Sequence, residues 1–201
     1  FGAQGEHPSH PELLDYLSLQ FMESGWDVKQ LMRAIVLSET YQQSSKTTPE
    51  LRTKDPENRI LARGTRFRMD SEMVRDQILM VSGLLNHEML GKSVKPPQPA
   101  KLWEIVAMPS SYPRKYKADE GKKAFRRSVY TFWKRGLPPP QMTIFDAPTR
   151  EACIARRERT NTPLQALMLM NEPQFFNAAI HCAQRLLEDS KSSDEQRIQD
   201  A

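Results

Sequence analysis

The sequence has few of the residues that build disulfide scaffolds, metal fingers or membrane spans. It has only 2 cysteines and 8 glycines in 201 residues, and no apolar run is long enough for a membrane helix. The two cysteines, Cys153 and Cys182, form neither a disulfide framework nor a zinc pattern. We expect both to be buried free thiols, with a single disulfide bridge as the alternative.

Motifs that hold common cofactors are also missing. The glycines are scattered singly, so the sequence contains no Gly-rich phosphate loop. It contains no C-x-x-C-H motif, which excludes covalent haem attachment to this chain. We therefore predict no cofactor and no bound metal.

Charge is plentiful but mixed in sign. Charged residues make up 27% of the chain, and 29 Lys and Arg are interspersed with 25 Asp and Glu, for a net charge of +4. A mixed surface of this kind favours solubility more than binding to nucleic acid. The second predicted helix carries only Lys29 and Arg33 as bases, too few for a row of phosphate contacts. We predict no nucleic-acid partner.

The two ends are expected to lie inside a longer protein. The chain begins at Phe1 without an initiator Met or a signal peptide, and it stops at Ala201 in sequence compatible with a helix. The length and composition predict one helical domain over residues 1–201, truncated at both ends.

The first part of this domain, residues 1–45, is predicted to be a helical hairpin. Ser9 and Glu12 have the spacing of a capping box, Gly25 is a plausible stop, and Asp27 can cap the second helix.

Residues 46–90 are predicted to contain two further helices after a polar loop. Asp55 is expected to open a short helix, and Asp70 or Ser71 to cap a stronger one.

Residues 91–145 are predicted to form a long Pro-rich excursion. The block around 125–133 is ambiguous, because its apolar spacing fits a helix while its composition fits a short strand or hairpin. The helix is slightly favoured. The predicted fold class is therefore mainly α, an irregular multi-helix domain with long Pro-rich loops.

Residues 146–190 are predicted to be helical again, with helices from Asp146 to Arg159, from Thr162 and from Asn171. Thr162 begins its helix as an N-cap three residues before Gln165, in the pattern of a capping box. This helix start explains the abrupt change from charged to apolar sequence at that point.

A second hypothesis for the same region is an anion site. Free N–H groups at a helix start, with arginines before them, can bind a carboxylate or sulfate. The candidate ligand-binding residues are Arg126, Arg127, Arg150, Arg156, Arg157, Asn161 and Thr162. An internal network of Arg–carboxylate pairs is the favoured use of these arginines.

Other chemically capable residues have simpler structural interpretations. His7 and His10 have the spacing of two metal ligands but lack an evident third. His181, next to Cys182, is more typical of a helix face than of a catalytic dyad. Paired carboxylates such as Asp146 and Glu151 stay possible for glycoside hydrolysis, although Asp146 is also a natural cap. We assign no catalytic residue.

Five blocks in this order resemble a known family of unknown function. They are "PSHPELLDYLSLQF", "GWDVKQLMRAIVLSETYQQSS", "DPENRILARGTRFRMDSEMVRDQIL", "FRRSVYTFWKR" and "FDAPTREACIARRERTNTPLQALMLMNEPQF". Together they resemble the C-terminal domain, DUF1553, of planctomycete-type, cytochrome-c-associated secreted proteins. The resemblance extends from about residue 1 to residue 188.

The resemblance implies context more than chemistry. Such domains follow other domains in large exported proteins, so the expected location is extracytoplasmic, in the periplasm or at the cell surface. The expected partners are upstream domains of the same parent chain, with an anionic glycan as a further candidate. The leading hypothesis is a non-catalytic structural or interaction module. The alternative is part of a composite active site, for glycan hydrolysis or cytochrome-coupled redox chemistry, completed by an upstream domain.

Overall fold

The computed structural model describes residues 4–99, 101–106, 108, 110, 113, 115–188, 193, 195 and 198. They fall into two compact units, one ending at Phe67 and one beginning at Arg68. The predicted fold class is confirmed, because the described residues form eight α-helices and no sheet. No helix among them is long and apolar enough to cross a membrane.

The first unit begins with two helices in contact, as predicted: α1 (Pro11–Glu23) and α2 (Val28–Val36). Gly25 and Trp26 both adopt positive φ in the turn that joins them. The Asp27 carboxylate accepts hydrogen bonds from the N–H groups of residues 29 and 30 and caps α2.

The start of α1 differs from the prediction. Its N-cap is His10, and no side chain there caps the helix. The Ser9 hydroxyl instead contacts the His10 ring, 3.0 Å from Nδ1. Pro11 at the first helical position needs no partner for its nitrogen, so the helix can begin without the predicted capping box.

The prediction of a helix beginning at Asp55 is wrong. The chain instead forms α3 (Pro49–Lys54) one segment earlier, with the Thr48 hydroxyl accepting from the Leu51 N–H. Asp55 ends this helix, and its carboxylate accepts from the Arg59 and Ile60 N–H groups at 2.8 and 3.0 Å. Asp55 thus holds a turn, where the sequence suggested a cap.

The second unit is built on α4 (Ser71–Val81), α7 (Pro163–Asn171) and α8 (Pro173–Glu188). Helix α8 packs on both α4 and α7, and the short α6 (Pro140–Thr143) packs on α4. The core cluster comprises Val74, Phe145 and Phe175, with Ile78 and Met168 partly buried against it.

The segment at 125–133 is neither the favoured α-helix nor a hairpin. It contains the end of one 3₁₀ turn, Gly121–Phe125, and a second one, Ser128–Tyr130. Its backbone pairs with the preceding chain through two isolated bridges, Arg126 with Asn86 and Thr131 with Val94. Short 3₁₀ turns leave much of the backbone without regular partners.

The Pro-rich excursion belongs to the second unit and is held by contacts between its own aromatic residues. It includes the short helix α5 (Leu102–Val106). Trp103 of this helix is buried and stacks on Tyr116, with ring centroids 5.0 Å apart. The Tyr116 hydroxyl donates to the Pro96 carbonyl oxygen at 2.7 Å. Aromatic packing thus orders a segment with little secondary structure.

The helix predicted from Asp146 to Arg159 is also wrong. Residues 147–162 are irregular, and Asp146 itself has a φ of 59°. Helix α7 begins after Thr162 as predicted, and the Thr162 N–H donates to Gln165 Oε1 at 3.1 Å. The following helix is capped by Glu172 in place of Asn171, because the Glu172 carboxylate accepts from the Phe175 N–H at 2.8 Å.

The two cysteines are free thiols, as expected. Their expected burial is wrong, since Cys153 is exposed and Cys182 is only partly covered.

Candidate functional site

The first turn of α4 carries a set of ion pairs to the irregular segment before α7. Arg157 and Glu72 form a bidentate ion pair, with N–O distances of 2.6 and 3.1 Å. Asp70 lies 3.8 Å from Arg157 and 3.6 Å from Arg159. We call these four residues the Arg–acid belt. It fixes residues 157–159 to α4 where no regular secondary structure does so.

Asp146 makes a second link between the same parts of the chain. Its carboxylate pairs with Arg68 and accepts from the Thr160 N–H at 2.7 Å and hydroxyl at 2.9 Å. It does not act as the helix cap that the sequence suggested, because no helix follows it. Its two partner residues, Arg68 and Thr160, are thereby joined through one carboxylate.

Both carboxylates are held in the charged form. Burial opposes ionisation of Glu72, but hydrogen bonds from Arg157 and Ser71 outweigh it and lower the pKa of Glu72. The same balance, with Thr160 and Arg68 as donors, lowers the pKa of Asp146. The hydrogen bond to Glu72 raises the pKa of Arg157. These groups are stabilised as ion pairs and are not poised for proton transfer near neutral pH.

The predicted anion-binding residues are only partly brought together. Arg156 and Arg157 line a shallow surface depression of about 450 Å³ together with Glu158, Arg159 and Thr160. Arg156 is exposed and makes no ion pair or hydrogen bond to another described residue. Asn161 and Thr162 follow directly, and both are exposed.

Arg126 lies apart from that depression and is buried, with 4% of its surface exposed. Its guanidinium donates to three backbone carbonyls, those of Glu88, Leu90 and Lys92, and lies 4.0 Å from the centroid of the Tyr130 ring. These contacts use Arg126 to hold the loop before it.

Arg127 and Arg150 have internal partners as well. Arg127 lies 3.7 Å from Asp76, whose carboxylate also accepts from the Ser128 N–H at 2.7 Å. Arg150 lies over the Trp133 ring, 4.3 Å from its centroid. Of the five predicted arginines, only Arg127 and Arg157 pair with carboxylates among the described residues, so the favoured network of Arg–carboxylate pairs describes two of them.

Sequence reasoning missed Arg75, the most buried of the arginines that the structure describes. Arg75 is 2% exposed and donates to Gln174, to the Ser128 hydroxyl and to two backbone carbonyls. Burial lowers the pKa of Arg75 to about 10, so the side chain stays charged at neutral pH. The sequence contains one signal for its burial, which is its position next to Val74 on the core side of α4. Arginine is usually exposed unless it is paired, however, so the sequence alone predicts an exposed side chain here.

The histidines and acids weighed for catalysis do not meet in one place. His181 contacts the Ser82 carbonyl oxygen at 2.9 Å, and His10 contacts Ser9. Glu151 is exposed, and Asp146 is engaged with Arg68. Within the described part of the chain, no group of three or more His, Cys, Asp or Glu side chains is placed to hold a metal ion.

Fold and site define a helical module in which arginines tie irregular segments to a small core. The chain belongs to the family described as PSD1, a protein of unknown function (DUF1553), whose model matches residues 1–201. No curated protein and no solved structure matches the chain.

Proposed function

We propose that this chain is a non-catalytic structural and interaction module, whose apolar helix faces are covered by other domains of a larger protein. One observation carries the proposal: helices α1, α2 and α3 bury none of their residues. Ordering a residue costs about 1–2 kcal/mol of backbone entropy, which buried apolar surface normally offsets. The first unit therefore needs a partner surface.

The residues available for such a contact are large and apolar. The exposed ones on α1 and α2 are Leu13, Leu14, Tyr16, Leu19, Met22, Val28, Met32, Ile35 and Val36. A cleft of about 1140 Å³ lies within the same unit, with Leu17, Ile60 and Phe67 among its lining residues. Large exposed apolar side chains on neighbouring helices are typical of an interaction site.

Helix α7 supports the same proposal in the second unit. It is almost wholly apolar, yet its only buried residue is Gln165. Leu164, Leu167, Leu169 and Met170 are all exposed. A helix that is apolar on all sides is normally enclosed by other protein.

The partner we propose is an upstream domain of the same parent chain, in an extracytoplasmic protein. The support for this context is the resemblance to exported multidomain proteins. Placing the module beside its partner in one chain also raises the effective concentration, so modest contacts suffice.

The test is amide hydrogen exchange of the 201-residue chain alone and of a longer protein in which the proposed upstream domain precedes it. We expect slower exchange in the longer protein at α1, α2 and α7. Helix α4 around Leu79, which is already fully buried, serves as the internal control and keeps its rate. Equal exchange of α1, α2 and α7 in the two proteins would contradict the proposal.

An anionic glycan is the ligand we propose for the depression at residues 156–160. The support is Arg156, which is exposed and unpaired among the described residues beside two further arginines. Dextran sulfate is expected to raise the melting temperature in a salt-sensitive way, and neutral dextran is not. An unchanged shift of the melting temperature in Arg156→Gln would refute this ligand site.

The alternative hypothesis, a composite active site completed by an upstream domain, stays a prediction.

A further inference from the structure

A depression lined by lysines lies in the second unit and shares no lining residue with the one at residues 156–160. It has a volume of about 790 Å³. Its lining residues are Ser93, Lys95, Lys117, Ala118, Asp119, Glu120, Lys122 and Lys123. Four of them carry a positive charge and two carry a negative charge, which leaves the depression with a net charge of +2.

The backbone that carries these lysines is held by hydrogen bonds. Lys95 and Asp119 are joined twice: the Lys95 N–H donates to the Asp119 carboxylate at 2.7 Å, and the Asp119 N–H donates to the Lys95 carbonyl oxygen at 2.8 Å. In the 3₁₀ turn Gly121–Phe125, the carbonyl oxygen of buried Ala124 accepts from Arg75 at 2.7 Å. The backbone around the depression is therefore fixed before any ligand binds.

The lysine side chains are open to solvent and differ in how firmly they are placed. Lys95 is half-buried, and its ammonium group lies over the Phe132 ring, 5.3 Å from the centroid. Lys117, Lys122 and Lys123 are exposed. A ligand in the depression would therefore meet one positioned ammonium group and three that are free to turn towards it.

The positive charge of the depression is not neutralised by ion pairs. None of its four lysines forms a salt bridge with another of the described residues. The Asp119 carboxylate accepts from a backbone N–H, and Glu120 is exposed. Like charges that share one depression repel each other, so a bound anion would relieve a repulsion that the free protein bears.

The net charge of +2 selects among possible anions. A carboxylate or a sulfate ester brings one negative charge, whereas a phosphate monoester carries about −1.5 to −2 at neutral pH. Lysine binds phosphate as a compact point charge and lacks the planar fork with which arginine recognises a carboxylate. A doubly charged phosphate group therefore fits the depression better than a singly charged anion.

We propose that this depression binds a phosphate monoester. Lys95 provides the positioned ammonium group, and Lys117, Lys122 and Lys123 contact the phosphate oxygens from the rim. The site is independent of the partner surfaces and of the glycan site proposed above.

The first test compares phenyl phosphate with phenyl sulfate, which share an aromatic body and differ in the charge of the anion. Equilibrium dialysis at pH 8 and constant ionic strength measures both affinities. We expect phenyl phosphate to bind roughly tenfold more tightly, because it brings one more charge to the lysines. Equal affinities, or no binding of either probe, would overturn the proposal. So would loss of phenyl phosphate binding in Arg156→Gln, which would place the anion at residues 156–160.

Acylation of the lysines by acetic anhydride, followed by mass spectrometry, locates the bound probe. Phenyl phosphate should slow acylation of the four lysines that line the depression. Lys29 and Lys54, which are exposed in the first unit, are the internal references and should react at an unchanged rate. Equal protection of the references and the lining lysines would contradict the site.

Variants of exposed residues change the charge of the depression without removing a buried contact. The double variant Lys122→Gln, Lys123→Gln lowers its net charge from +2 to zero and should abolish the tenfold preference for phosphate. Lys46→Gln, Lys54→Gln is the matched control, since it changes the overall charge equally at exposed positions of the first unit. Glu120→Gln removes a negative charge from the lining and should bind phenyl phosphate roughly threefold more tightly than the parent. An equal loss in the two double variants, or no gain in Glu120→Gln, would refute the site.

A phosphate monoester can be a soluble molecule or the headgroup of phosphatidic acid. Sedimentation with phosphatidylcholine vesicles that contain phosphatidic acid distinguishes these two sources. Sedimentation that is lost in Lys122→Gln, Lys123→Gln would assign the lipid headgroup as the ligand. Binding of phenyl phosphate without sedimentation would assign a soluble phosphate monoester.

Discussion

Replacing the buried Arg75 with methionine should destabilise the second unit strongly. Methionine fills a similar volume but has no donors, so Gln174 Oε1 and the Arg126 carbonyl oxygen lose bonds of 2.8 and 2.9 Å. The Ala124 carbonyl oxygen keeps only a long contact of 3.4 Å to Gln174. The change therefore leaves buried acceptors unpaired at the junction of α4, α8 and the 3₁₀ turns.

The expected cost can be worked from these contacts. Each buried group left unpaired costs roughly 1–3 kcal/mol, so Gln174 and the Arg126 carbonyl together cost about 4 kcal/mol. Removing a buried charge recovers part of this, since the charge no longer has to be desolvated. The net loss should be about 3 kcal/mol, a large fraction of the stability of an ordinary domain.

Urea unfolding followed by tryptophan fluorescence measures this loss. In a Trp26→Phe background the remaining tryptophans, Trp103 and Trp133, both lie in the second unit and report on it alone. With a slope of about 2 kcal/mol per M, the midpoint should fall by about 1.5 M. Arg185→Met is the matched control, because Arg185 is exposed and donates to the Val81 carbonyl oxygen.

The control should shift the midpoint by less than about 0.5 M, as expected for an exposed hydrogen bond. If Arg75→Met and Arg185→Met shifted the midpoint equally, the backbone carbonyls around Arg75 would not depend on it. The same conclusion would follow if the Arg75→Met midpoint were unchanged.

Two further predictions concern the attachment of α7 and the segment before it. Because the pKa of Glu72 is lowered in the folded state, its ion pair stabilises the fold above the unfolded pKa of about 4.5 and is lost as pH falls through the folded value. Glu72→Gln should therefore be less stable than the parent at pH 7, and the difference in urea midpoint should shrink below pH 4.5. Exposed Glu151→Gln is the control and should leave the midpoint at pH 7 unchanged. Gln165→Leu should lower the free energy of unfolding by roughly 2 kcal/mol, because the Ile144 carbonyl oxygen and the Thr162 N–H lose their partner. An unchanged urea midpoint in this variant would count against the capping box.

Local signals predicted much of the helix content correctly. Asp27 and Thr162 begin helices as their residue types and positions suggested, because capping depends on atoms within three residues of each other. The prediction failed for the first helix after residue 45: Asp55 was expected to open it, whereas Thr48 begins it seven residues earlier. Both can cap a helix, and only the turn at residues 59–60 shows that Asp55 is used elsewhere.

Contacts distant in sequence account for the larger errors. The charged block before α7 looked helical because nothing local forbids a helix there. In the fold, Arg157 and Thr160 bind Glu72 and Asp146, which are 85 and 14 positions away. These pairs hold an extended path that no periodicity in the block encodes. The same reason hid Arg75, whose partners lie 49 to 99 residues away.

Several arginines of this chain hold irregular backbone in place, so its basic charge need not indicate an anionic ligand. Irregular backbone still needs hydrogen-bond partners, and a fold without a sheet among its described residues has no ladders to supply them. A guanidinium carries five N–H donors in a fixed fork and can satisfy several carbonyls at once, as Arg126 does for the loop at residues 88–92. Arg126→Lys would preserve the net charge and lose that fork. If Arg126 contributes only its positive charge, the variant should be as stable as the parent. If the forked guanidinium holds the loop, amide exchange at residues 88–94 should accelerate in the variant, while exchange in α1 and α2 stays unchanged. We expect the second result, and the first would return Arg126 to the list of candidate ligand-binding residues.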